Sequence, residues 1–148
     1  MSLPSRYAEL LEEIAPKYPL IPYTYVVGGK IVVEVGEMYL ELPTTTIPLI
    51  PGTTYTLPPL TGYYFDLTTW KTKAFIVYAD QPVDVQVEES IDGEDFYDVE
   101  GLSIASADFV TNKWNSIVTD TPLKYIRLKA TTGATAPTKM ILVVRAFR

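Results

Sequence analysis

The sequence predicts an all-β fold: an antiparallel, jelly-roll-like β-sandwich carrying a short N-terminal helix and an extended proline-rich arm. Three observations carry this. Short apolar segments recur through the 148 residues, punctuated by Gly, Pro and Asp. Eleven tyrosines and twelve prolines, with many Val and Thr, favour pleated strands and stiff connections over helices. Alternation is sharpest between Phe75 and Val99, where Val83, Val85 and Val87 fall on one face and Asp84, Gln86 and Glu88 on the other.

Residues 4–15 predict an amphipathic helix. Pro4 suits a first turn, Tyr7, Leu10, Leu11 and Ile14 repeat at i, i+3, i+4 and i+7, and Pro16 stops the pattern. Arg6, Glu9, Glu12 and Glu13 occupy the other face. Roughly 12 residues is marginal for an isolated helix, so the apolar stripe needs a partner. Pro16, Pro19 and Pro22 then predict an extended, polyproline-like spacer. The chain therefore divides into an arm, residues 1–22, and a sandwich, residues 23–148.

Tyr23–Val27 and Lys30–Val35 flank Gly28-Gly29 as a hairpin, and the glycine pair lacks the spacing of a phosphate loop. Met38–Leu42 reads as a strand closed by Pro43, Pro51-Gly52 as a type II turn, and Thr53–Leu57 as a short strand stopped by Pro58. Tyr63–Leu67 opens the second half. Ala74–Ala79 is apolar on both faces, as in a central sandwich strand. Asp92-Gly93 predicts a two-residue hairpin turn, with Phe96–Val99 returning as the partner strand and Phe96 in the core. Short strands are expected over Ile104–Val110 and Trp114–Val118. Lys124–Lys129 alternates strictly, and Met140–Phe147 is apolar on both faces. Eight to ten strands result. The expected core includes Val85, Val87, Phe96, Ile126, Leu128 and Val143.

Composition narrows the chemistry. There is no cysteine and no histidine, which removes thiolate nucleophiles, disulfides and the commonest general base and metal ligand. A net charge of −6 argues against nucleic acid as a partner. No apolar run reaches the roughly 20 residues that a membrane helix needs, and the N-terminus lacks the pattern of a signal peptide. Charge is segregated. Residues 80–100 hold Asp80, Asp84, Glu88, Glu89, Asp92, Glu94, Asp95, Asp98 and Glu100 with no Lys or Arg, whereas basic residues predominate from Lys113 to Arg148. Either neighbouring strands pair these charges within the chain, or the asymmetry matches another subunit.

Val85–Phe96, with its Ser90-Ile91-Asp92-Gly93 core, resembles the hairpin of discoidin-like, galactose-binding-domain-like sandwiches. Tyr125-Ile126-Arg127-Leu128 is similar to that family's later strand, and the apolar C-terminal strand stands where its last strand belongs. The resemblance covers residues 63–148, with Phe96 in place of the usual Trp. It implies a sandwich of a family that includes glycan- and lipid-binding modules and, in similar form, structural proteins of phage and archaeal virions. The missing cysteines and signal set this chain apart from the secreted modules, and its N-terminal arm is similar to those of virion proteins.

The expected function is accordingly non-enzymatic: a virion component, such as a capsid-decoration or tail protein, that binds copies of itself or a shell or tail protein. Its arm (Tyr7, Leu10, Leu11, Ile14) and sheet edges would form the interface, with a virion location rather than a membrane one and no catalytic residue, cofactor or metal. The alternative is a glycan-binding module whose aromatics Tyr63, Tyr64, Trp70 and Trp114 stack on sugar rings. A calcium ion held by Glu88, Glu89, Asp92, Glu94, Asp95 and Asp98 is a lesser expectation, since no EF-hand spacing is present.

Overall fold

A computed structural model describes residues 37–59 and 63–147 in full, together with the backbone of residues 24–27 and 30–33. The predicted helix and arm lie outside the described residues. Among the described residues eleven strands are seen, against the eight to ten expected. They are β1 (Thr24–Val27), β2 (Lys30–Val33), β3 (Glu37–Leu42), β4 (Thr54–Leu57), β5 (Tyr64–Asp66), β6 (Thr72–Ala79), β7 (Val83–Ser90), β8 (Tyr97–Ile104), β9 (Trp114–Thr119), β10 (Tyr125–Thr132) and β11 (Met140–Phe147).

They form two sheets. One runs β1-β2-β5-β10-β7-β8, with β4 joining β5 on the same side of β10; the other runs β3-β11-β6-β9. All pairings are antiparallel except β2 with β5, which is parallel. The expected β-sandwich is therefore observed, with that one exception to antiparallel order. β1 and β2 pair Val27 with Lys30, the register of the predicted hairpin. Gly52 has φ +63°, as the predicted turn requires, and its N–H donates to Gly133 O at 3.0 Å.

Period-two alternation sends one set of side chains from each sheet inward. Met38, Leu40 and Leu42 from β3, Phe75 and Val77 from β6, and Leu142 and Val144 from β11 meet Val85, Val87, Ile126 and Leu128 from the facing sheet. Asp84, Gln86 and Glu88 point outward, as their alternation predicts. Lys73 is the exception in β6. It is 1% exposed, and its Nζ donates to the carbonyls of Trp70 (3.1 Å) and Lys71 (2.8 Å), tying the β5–β6 connection to the end of the sandwich. Burial pushes its ammonium pKa down.

Four expectations need correction. Val143, expected in the core, is buried but points to the outer side of its sheet. The β7–β8 connection is not a two-residue turn but the loop 91–96, because Asp92 builds an Asx turn of its own. Its Oδ1 accepts from the N–H of Glu94 (2.8 Å) and Asp95 (2.9 Å) and from Ser90 Oγ (2.9 Å). Phe96 consequently sits in this loop, half-buried on the outer face of the seven-stranded sheet rather than in the core. Ile104–Val110 is not a strand. Ile104 ends β8, and the following residues make successive turns, with Asp108 N bonded to Ala105 O and Phe109 N to Ser106 O. Asn115 fastens that loop through Val110 N, Val110 O and Lys113 O.

β8 is an edge strand and an irregular one. Val99–Leu102 stand opposite the single residue Val87, Gly101 takes φ +83°, and Gln86 Nε2 donates to the Val99 and Leu102 carbonyls left free by the bulge.

Candidate functional site

The outward side of the four-stranded sheet follows directly from two strands that are apolar on both faces. In β6, Phe75, Val77 and Ala79 point inward, so Ala74, Ile76 and Tyr78 point outward; in β11, Leu142 and Val144 point inward, so Ile141, Val143 and Arg145 point outward. The register aligns them in rows across the sheet. One row reads Tyr39, Val143, Ile76, Ser116; the next reads Glu41, Ile141, Tyr78, Trp114. The sandwich has two layers, and among the described residues no third layer covers this face.

The result is a groove of about 530 Å³ with Tyr39, Ile76, Ile141 and Val143 along its floor and Trp114 as a wall. Trp114 is 57% exposed and leans on Tyr78 with ring centres 5.4 Å apart. Two ion pairs form the rim: Arg145 Nε to Glu37 Oε1 at 3.1 Å, and Lys139 Nζ to Glu41 Oε1 at 3.2 Å. Burial, then the charges of Glu37 and Glu41, push the Tyr39 phenol pKa up, so it remains an uncharged O–H at neutral pH. Covering an apolar side chain here is worth up to about 1.5–3 kcal/mol each, which suits binding of an apolar surface.

The four aromatics singled out in the sequence do not converge. Tyr64 lies on the outer side of the other sheet, 9% exposed, between Phe96 (5.8 Å between ring centres) and Tyr125 (4.9 Å). Tyr63 and Trp70 are partly buried and packed against the core; Trp114 alone of the four is on the groove. Tyr7, Leu10, Leu11 and Ile14 lie outside the described residues. Tyr39, Ile76, Tyr78, Ile141 and Val143 were absent from the expected binding residues. Their signal was present: a strand apolar on both faces must leave one face uncovered in a two-layer fold.

Much of the acidic stretch is engaged within the chain. Glu88 accepts from Arg127 (3.4 Å) and lies 3.7 Å from Lys129, which also pairs with Asp98 at 2.9 Å. Glu89, nearly buried, accepts from the Lys124 N–H (2.8 Å) and from the Tyr97 hydroxyl (2.5 Å), and the bond from Tyr97 is the main cause of that phenol's raised pKa. The three hydrogen bonds to Asp92 hold its carboxyl down at about 2. Asp80 accepts from the Thr138 hydroxyl and N–H, which lowers its pKa and fixes the entry to β11. Among the described residues, no three acidic side chains converge as cation ligands would. A second cleft of about 340 Å³, lined by Asp84, Gln86, Asp98, Ser103, Lys129 and others, is polar, and its Lys129 and Asp98 are already paired.

These two sheets, with an extended apolar face on one, make a two-layer β-sandwich. The fold is similar to the crystal structure of the PBSX exported protein XepA, with a TM-score of 0.54 and 13% identity; the match covers 74% of this chain and 37% of that one. A CBM4 structure is matched more weakly, with a TM-score of 0.39 and 14% identity over 89% of this chain and 83% of that chain. No family model matches the chain, and no curated protein matches it in sequence.

Proposed function

We propose that the chain is a non-enzymatic structural protein, a virion component of the capsid-decoration or tail type, that binds its neighbours through the outer face of the four-stranded sheet. The groove of Tyr39, Ile76, Trp114, Ile141 and Val143 carries this reading. It is an apolar face whose charged rim is already paired, and it suits a protein surface better than a hydroxyl-rich ligand. The bulge, the positive φ of Gly101, and Asp98 and Glu100 all discourage strand addition at β8, so face contact is favoured over that edge. The virion setting is supported by the resemblance of residues 63–148 to sandwiches of such particles.

Light scattering on the full chain tests it. The protein should associate with rising concentration, and Trp114→Ala with Ile141→Ser should reduce association. A protein that stays monomeric while soluble polysaccharides quench its tryptophan fluorescence would instead be the glycan-binding module of the alternative reading.

A further inference from the structure

We propose that the groove receives the apolar stripe of residues 4–15 from a second copy of this chain, joining copies arm to face. The inference rests on the assembly reading above and names the occupant.

Dimensions agree. From Tyr7 to Ile14 a helix rises about 1.5 Å per residue, or about 10 Å. The apolar floor from Tyr39 through Val143 to Ile76 spans two strand spacings of about 4.8 Å, also about 10 Å. Chemistry agrees as well. Tyr7, Leu10, Leu11 and Ile14 present aliphatic and aromatic carbon, and Ile76, Ile141, Val143 and Trp114 offer the same. The rim cations Lys139 and Arg145 are already paired with Glu41 and Glu37, so carbon contact rather than charge would join stripe and groove.

The place where the described chain begins selects a second copy. Residues 1–23 precede Thr24, and β1 is the outermost strand of the seven-stranded sheet, in the layer opposite the groove. The groove lies on the other sheet, so a chain leaving Thr24 would have to pass an edge of the sandwich to reach the groove of its own copy. A spacer with Pro16, Pro19 and Pro22 is straight over several residues and extends about 3.1 Å per residue, about 20 Å in all. A spacer of that reach would present the stripe to a neighbour, where tethering would raise the effective concentration of each contact.

The chain contains no cysteine, so introduced thiols report one contact cleanly. Full-length Ile14→Cys protein is mixed with full-length Ser116→Cys protein and mildly oxidised. A disulfide between the two chains is expected. Leu10→Glu with Ile14→Glu should reduce the light-scattering mass to that of a monomer, as should Trp114→Ala with Ile141→Ser, with the unfolding midpoint of the sandwich unchanged in both. If the chain carrying both cysteines cross-links only within itself and the mixture does not cross-link, the groove holds its own arm and the inference is wrong. If the groove variant dissociates but the arm variant does not, another surface occupies the groove; the inference fails while the assembly reading stands. A wild-type protein that is monomeric at every concentration removes the assembly reading itself.

Discussion

The guanidinium carbon of Arg127 stands 3.7 Å from the centre of the Phe96 ring, and Nη2 of the same group reaches Glu88 Oε1 at 3.4 Å. The ring thus covers a charge on the outer face of the seven-stranded sheet instead of filling the core. Truncating a buried Phe costs about 3–5 kcal/mol, whereas a half-buried ring loses a cation–π contact and part of its packing. Phe96→Ala should therefore cost about 1–2 kcal/mol in urea unfolding. A loss as large as that of a core Phe would contradict this placement.

Gly93 has φ +82°, and a Cβ built there would lie 2.4 Å from the Tyr64 hydroxyl oxygen and 2.8 Å from Cζ. Gly93→Ala combines left-handed strain of about 1–2 kcal/mol with that collision. The variant should be destabilised by about 2 kcal/mol or more, and adding Tyr64→Phe should restore part of the loss. Additive losses in the double variant would show that the two side chains do not meet.

Acid stability should depend on the Asx turn. Asp92 titrates near 2 in the folded chain against 3.8 in the absence of its hydrogen bonds, and Asp80 is lowered too. A depressed carboxyl pKa contributes stability that is present above the unfolded value and lost as pH falls through the folded one. Asp92→Asn retains an acceptor oxygen but not the charge. It should be less stable than wild type at neutral pH, with the difference closing between about pH 4 and pH 2. A difference that persists at pH 2 would mean that the charge is not the cause.

The alternating strands were legible because each has one wet face: Val83–Glu88 and Tyr125–Lys129 turn the expected residues inward. Where the reading missed, local side-chain chemistry prevailed over pattern. Asp92 gathers three donors and turns the chain before a two-residue hairpin can close, which displaces Phe96. Ala74–Ala79 and Met140–Phe147 were recognisable as central strands, but their pairing with each other is a contact between distant segments that no local pattern encodes. The groove depends on that pairing, with Val143 opposite Ile76 and Ile141 opposite Tyr78. The charge segregation was equally plain, yet whether acids and bases meet in one chain depends on strand order. The structure places Glu88 and Asp98 beside Lys129.

That pairing fixes the expected salt response. Because Arg127 and Lys129 are engaged with Glu88 and Asp98 of their own chain, and the groove is apolar, association should persist at about 1 M salt, where the Debye length falls to about 3 Å. Loss of mass on raising the salt, followed by light scattering, would instead place charge pairs at the centre of the contact.

The order of strands after Thr24 also determines how tension on the arm would be borne. A pull at Thr24 loads β1 and then β2, a peripheral ribbon that meets the rest of the sheet along the three pairs Lys30–Tyr64, Ile31–Phe65 and Val32–Asp66. Next in line is β3, paired with β11 from Glu37 to Leu42 and rooted by Met38, Leu40 and Leu42 in the core. Single-molecule stretching from the N-terminus should show a small early extension followed by a larger force peak. The hairpin acts as a mechanical fuse ahead of an anchored strand, so such a load is absorbed before the sandwich itself is breached.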